Sequence, residues 1–155
     1  ALSVAVALAL AAACSLTAPW LSQLEIQSAA HVWTRAPQAA YARLDDAAWL
    51  DPLSDEASLV AGSIALRYGE LARADRDFAQ ALQRSPNDAY ATLELGAIAS
   101  ARGDRSAALG LLERATRLSP REALTREALG LVLEGRPVNI QLLNREILLK
   151  AQELA

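Results

Sequence analysis

The sequence predicts an all-α fold, a solenoid of stacked helix-turn-helix units. Three observations carry that expectation. First, Pro52, Pro86 and Pro120 stand 34 residues apart, and laying the chain over itself at that period aligns further columns. These are Ala40, Ala74 and Ala108; Leu44, Phe78 and Leu112; Ala47, Ala81 and Ala115; Gly62, Gly96 and Gly130; and Gly69 with Gly103. A fixed period of this length is one supersecondary unit that must stack on copies of itself to bury its apolar face. Second, the chain is 53% hydrophobic but only 5% aromatic, so most of its apolar residues are Ala, Leu and Val. Ala loses no side-chain entropy in a helix and lets neighbouring backbones approach closely. Third, the punctuation recurs: a glycine after each first helix, Asp104 placed to cap a second one, and a Ser-Pro pair closing each unit.

The units can be placed in order. Residues 1–24 carry no charge; the first is Glu25. The run "ALSVAVALALAAACSLTAPWL" reads as a transmembrane helix over residues 1–20, since 18 helical residues reach about 27 Å, close to the hydrocarbon core of about 30 Å. Pro19 is expected to weaken the helix at its end, and Trp20 stands where an interfacial aromatic belongs. The absence of an initial Met suggests a chain cut from a longer one. An alternative is a lipoprotein signal ending at Cys14, preceded by the small residues Ala12 and Ala13. That signal wants Leu three places before the Cys, where Ala11 stands, and no basic segment precedes the apolar run.

Residues 21–155 are expected to form the repeat domain. A degenerate unit covers 21–52, with a helix over Leu21–Thr34 that buries Leu24, Val32 and Trp33, and a second opened by Pro37. Full units follow at 55–86 and 89–120, with helices over Asp55–Tyr68, Leu71–Arg84, Asp88–Arg102 and Arg105–Leu118. Gly62, Gly96, Ala74 and Ala108 mark where paired helices touch. A half unit occupies 122–135, with Ser119 and Glu122 spaced as a capping box. Gly135-Arg136-Pro137 breaks it, and a helix over 139–154 stands in for the missing second helix of that unit and caps the stack. Its apolar face is Ile140, Leu143, Ile147, Ala151 and Leu154; Gln141, Asn144, Arg145 and Glu153 face water.

Charge and motif content exclude several classes. The net charge is -3 with pI ≈ 5.2, and the fifteen basic residues, fourteen of them Arg, are scattered singly among acids. No basic stripe suits a nucleic acid. A lone cysteine permits no internal disulfide, and no zinc spacing, phosphate loop or catalytic triad appears. His31 has no second histidine, cysteine or serine-base arrangement beside it. The acidic group Asp45, Asp46, Asp51, Asp55 and Glu56 lacks the alternating carboxylates and central glycine of a calcium loop. Catalytic residues, cofactors and metal sites are accordingly not expected, and the chain reads as a non-enzyme.

The segments "LVAGSIALRYGELARADRDFAQALQRSP" and "LELGAIASARGDRSAALGLLERATRLSP" resemble the tetratricopeptide repeat (TPR). The small-residue and proline columns match that family, while its Trp and Tyr columns are replaced by Ser58, Thr92, Ala65 and Ala99. The resemblance implies a protein or peptide partner on the concave face lined by the first helix of each unit. Carried over residue by residue, that face is Leu59, Ser63 and Arg67, then Tyr90, Leu93, Glu94 and Ala97, then Glu127 and Leu131. The Lys and Asn with which one TPR subclass clamps a C-terminal carboxylate pair are absent here. What remains is a shallow, mostly apolar groove suited to an extended or helical segment.

The order of segments carries a second resemblance: an apolar span, "APWLSQ", "ARLDDAAWLDPLSDEASLVAGSIALRYGE", full repeats, then "GLVLEGRPVN". It is similar to the C-terminal part of bacterial O-antigen ligase/polymerase-like membrane proteins, in which a many-span glycan-handling body precedes a terminal TPR domain. The resemblance implies the last span and appended domain of such a protein, with the glycan-transfer residues in the body upstream. The function expected is a non-catalytic scaffold on a cell-surface glycan assembly protein. The alternatives are a substrate-contacting part of the transferase and a free-standing TPR lipoprotein. The expected location is the bacterial cell membrane. The first positive residues after Leu21 are Arg35 and Arg43, a sparse flank that favours an extracytoplasmic repeat domain.

Overall fold

The computed structural model describes the backbone of residues 2–153 and the side-chain surroundings of residues 17–150. Within it the chain forms eight helices and no strand: α1 (Leu2–Val32), α2 (Pro37–Leu50), α3 (Glu56–Arg67), α4 (Leu71–Arg84), α5 (Ala89–Ala101), α6 (Arg105–Leu118), α7 (Ala123–Leu133) and α8 (Ile140–Glu153). Two compact units are present, residues 1–61 and 62–155, with the division inside α3.

In the first unit α1 and α2 pack along each other. The Ser22 hydroxyl donates to the Ala47 carbonyl at 3.0 Å, and Arg43 pairs with Glu25 at 3.1 Å. The pairing is antiparallel, because a later residue of α1 meets an earlier one of α2. The seam is Ser22, Ile26 and Ala29 against Ala40, Tyr41, Leu44 and Ala47. This differs from the expected face: Leu24 is exposed, and Val32 and Trp33 are half-buried. The periodicity of the 21–34 stretch misleads because Ser22 and Ala29 flank Ile26 in the contact, while Leu21 and Leu24 turn outward. Nor does α1 end at Pro19, which lies inside it. Proline forfeits one backbone donor, but its fixed φ is compatible with a helix, so a long helix can run through it. Among the described residues no helix is long and apolar enough to cross a membrane. Most of the run expected to span, and Cys14 with it, lies outside the residues whose side chains are described.

In the second unit the glycine column decides how closely helices approach. A Cβ on Gly62 would stand 2.9 Å from the Phe78 ring of α4, and one on Gly96 would stand 2.8 Å from Leu112 of α6. Gly130, in the same column, has nothing within 4 Å of such a Cβ. The second-type helices answer with Ala74, Phe78 and Ala81 on α4 and Ala108, Leu112 and Ala115 on α6, all fully buried. Turns are set by Gly69, Gly103 and Gly135, at φ 72, 81 and 78. Each is followed by a residue whose N–H returns to the carbonyl five back, as in Glu70 to Ala65, Asp104 to Ala99 and Arg136 to Leu131. That bond satisfies a carbonyl the helix end would otherwise leave open.

Capping follows local chemistry. Asp88 accepts from the Ala91 N–H and Asp104 from the Ala107 N–H. At α7 the cap is Glu122 itself, which accepts from the Leu124 N–H at 3.4 Å, while Ser119 contributes only its carbonyl to the Glu122 N–H. The expected capping box is therefore replaced by a simpler cap. Within the second unit arginines tie successive helix pairs together: Arg102 reaches Asp75 and the Leu71 carbonyl, Arg105 the Leu133 carbonyl, and Arg114 the Pro86 carbonyl. A forked, always-charged guanidinium suits such carbonyl-directed contacts better than a lysine.

The C-terminal helix departs most from expectation. α8 packs against α5 and α7, both first-type helices, and so does not take the place of a second helix beside α7. The turn through Gly135 and Pro137 is fixed by the buried Val138 N–H, which donates to the Ser100 hydroxyl at 3.0 Å. From there α8 crosses the face that α5 and α7 present.

Candidate functional site

The face belongs to α5. All residues from Ala91 to Ile98 are buried, so α5 is the central helix of the second unit. Its residues Tyr90, Leu93, Glu94 and Ala97 fall on one side by helical spacing. Tyr90 is half-buried and packs edge-on against Phe78, with ring centroids 5.6 Å apart at 87°. Its hydroxyl shares a hydrogen bond of 2.9 Å with the Ser63 hydroxyl of α3. Burial, and then the neighbouring Glu94 charge, push the Tyr90 phenol above its ordinary range; the Ser63 hydrogen bond and the Arg67 charge act the other way.

Glu94 is fully buried, and neither carboxyl oxygen has a hydrogen-bond partner of ordinary geometry. Burial pushes its pKa up to about 8, and the Tyr90 hydroxyl offsets only part of that shift. A buried carboxyl without a partner is costly when ionised, so it keeps its proton at neutral pH. Glu94 therefore does not present a negative charge to the groove there.

The nine residues expected to line the concave face divide by accessibility. Leu93, Glu94 and Ala97 are buried and serve the packing of α5. Ser63, Tyr90 and Leu131 are half-buried, and Arg67 and Glu127 are exposed. Leu59 is half-buried and belongs to the first unit.

Two cavities lie on this face, and α8 walls both. The first, of ≈ 290 Å³, is lined by Ala89, Tyr90 and Leu93 of α5, by Ser119, Glu122, Leu124 and Thr125 at α7, and by Ile147 and Lys150 of α8. Lys150 closes its rim, donating to both Glu122 oxygens at 2.6 and 2.8 Å. The second, of ≈ 200 Å³, includes Glu127 and Leu131 of α7 and Leu142, Leu143 and Glu146 of α8. Thus Tyr90, Leu93, Glu127 and Leu131 all share a cavity with α8. Sequence reading missed Glu122, Ile147 and Lys150. Helix spacing placed Ile147 on a packed face, but nothing local says which helix α8 packs on.

Among the described residues no group of His, Cys, Asp and Glu converges as a metal set, and His31 is exposed, its Nδ1 2.7 Å from the Gln27 carbonyl oxygen.

No protein-family model and no curated protein matches the chain. Solved structures do match. MamA aligns over 74% of this chain and 67% of its own, at TM-score 0.66 and 22% identity. The TPR domain of Arabidopsis OM64 aligns over 76% and 98%, at TM-score 0.68 and 13% identity. The first TPR domain of Spaghetti (RPAP3), solved bound to the HSP90 peptide SRMEEVD, aligns over 76% and 94%, at TM-score 0.69 and 16% identity. The likeness is one of fold: the chain has the TPR architecture of stacked antiparallel helix pairs.

Proposed function

We propose that the chain is a non-catalytic protein-interaction module that holds a helical or extended segment on the face of α5 and α7. The carrying observation is the pair of mainly apolar cavities there, rimmed by the half-buried Tyr90 and Leu131 and the exposed Glu127. The peptide complex of the RPAP3 domain is consistent with such use of the fold. The capture test must avoid the core: Leu93 is buried, and Tyr90 packs on Phe78. A chain carrying Glu127→Lys with Leu131→Ala is expected to lose its partners from a detergent extract of membranes at unchanged melting temperature. Undiminished capture would remove the site from this face.

In the same reading the module is tethered to a bacterial cell membrane and belongs to a cell-surface glycan assembly protein. The uncharged run over residues 1–24 supports the tether. So does a belt of exposed apolar residues where that run ends. With Ser22 opposite Ala47 and Glu25 opposite Arg43, the register sets Trp20 level with Trp49. Trp20 is 63% exposed, Trp49 82%, and Leu53, just beyond α2, 87%. Exposed indoles at the end of an apolar run suit the lipid headgroup level. The glycan assignment rests on the order of sequence segments, and deletion of residues 56–155 from the parent protein, with loss of glycan export or ligation as readout, tests it. Unchanged surface glycan would rule it out.

A further inference from the structure

We propose that α8 is a built-in occupant of the groove, and that the partner accepted there is an amphipathic helix that copies it. The copied pattern is two apolar residues one turn apart, then a lysine or arginine three residues on, matching Leu143, Ile147 and Lys150. The inference rests on the reading of this face as a binding surface and names the class of partner.

On the packed face of α8 burial falls along the helix: Ile140 and Leu143 are buried, Ile147 is half-buried and Lys150 is exposed. The start of the helix is anchored by the Val138 bond to Ser100 and by Asn139, which caps it by accepting from the Leu142 N–H at 3.1 Å. The later turns hold by Ile147 and by the Lys150–Glu122 pair, at the wall and rim of the 290 Å³ cavity. A part-exposed pair of this kind adds little to stability, yet it fixes register. The other side of α8 carries Leu142, Leu148 and Leu149 exposed, so packing holds the helix from one side.

Glu122 is suited to exchange one cation for another. Chiefly the Lys150 hydrogen bonds hold its carboxyl below the usual carboxylate range, and the Leu124 N–H at the start of α7 contributes as well. The helix N-terminus favours the anion even without a lysine. When α8 lifts away, a carboxylate therefore remains at the rim of a cavity lined by Leu93, Leu124 and Ile147's vacated place, which is the complement of an apolar helix face ending in a basic residue. An acidic peptide end would meet Glu122 and Glu127 and be repelled.

The probe is a fluorescein-labelled peptide with the sequence of residues 139–155, added to the intact chain in detergent and read by anisotropy. Lys150→Glu places like charges at the rim and loosens α8, so this chain is expected to bind the peptide at least tenfold more tightly than wild type. The swap Glu122→Lys with Lys150→Glu restores the internal pair and removes the site for the peptide lysine, and affinity is expected to return to the wild-type level or below. Lys150→Gln serves as a milder opening variant, and thermal melts establish that each chain is folded. Equal affinity of wild type and Lys150→Glu, including no binding to either, would overturn the proposal. So would retained tight binding by the swap, or self-association of the Lys150→Glu chain in place of peptide uptake, which would make a second copy the occupant. If the peptide does not discriminate while Glu127→Lys with Leu131→Ala still abolishes partner capture, displacement by a helix is wrong and the binding face stands. Loss of both results would remove the face itself.

Discussion

Glu94 sits on the central helix with its carboxyl buried and its pKa pushed up to about 8 by that burial. In the unfolded chain a glutamate ionises near its ordinary value of 4.5. Between those two values the unfolded chain gives up a proton that the folded chain keeps. Stability from this group is therefore fully present below about 4.5, falls as pH rises, and levels off above about 8. The charged and titratable groups acting on it are Tyr90 from its own helix and, through Tyr90, Arg67 of α3. Glu94→Gln keeps the shape and removes the proton. Its melting temperature at pH 8 is expected to exceed that of wild type, and the wild-type slope, about 1.4 kcal/mol per pH unit at its steepest, should flatten. Parallel pH profiles for the two chains would mean that Glu94 ionises without cost.

At the scale of helices, one repeat column holds two different contacts. Gly96 leaves no room for a Cβ against Leu112, whereas Gly130 faces open space. Gly96→Ala is expected to destabilise by about 1–3 kcal/mol through overpacking. Gly130→Ala, inside α7, should stabilise by up to about 1 kcal/mol through helix propensity. Chemical denaturation of both variants checks the pair, and the same sign for both would contradict the helix contacts described. The difference also explains what was legible in the sequence. Helix ends were, because Gly69, Gly103, Asp88 and Asp104 act within a turn of where they stand. The 34-residue columns identified paired helices for the same reason. The fate of a column at the end of the stack was not legible, since Gly130 lies open where a partner such as Leu112 meets Gly96. Nor could local signals show that α1 passes Pro19, that Glu94 is sealed in, or that α8 turns back across α5 and α7, which depends on the Ser100 bond to Val138 over a separation of 38 residues.

At the scale of the whole molecule the proposed function falls on two surfaces, one in each compact unit. In the first unit, the tether reading expects Trp20 and Trp49 at one depth. In vesicles of phosphatidylcholine with one quarter phosphatidylglycerol, variants retaining a single tryptophan can be quenched by lipids brominated at defined positions. Trp20 and Trp49 should respond most to the same shallow bromine, and Trp33, just past the end of α1 and about three and a half turns from Trp20, should respond little. Quenching of Trp20 alone would detach α2 from the surface, and quenching of none would remove the membrane.

In the second unit, the claim that the face of α5 and α7 receives a partner has the most direct test. A photoreactive benzoylphenylalanine is placed at the exposed Glu127 on α7, and another at the exposed Arg117 on α6, a second-type helix. After illumination of intact cells, the Glu127 position is expected to yield one discrete, heavier crosslinked species and the Arg117 position none. A species of the same size from both positions, or from Arg117 alone, would contradict the assignment of that face.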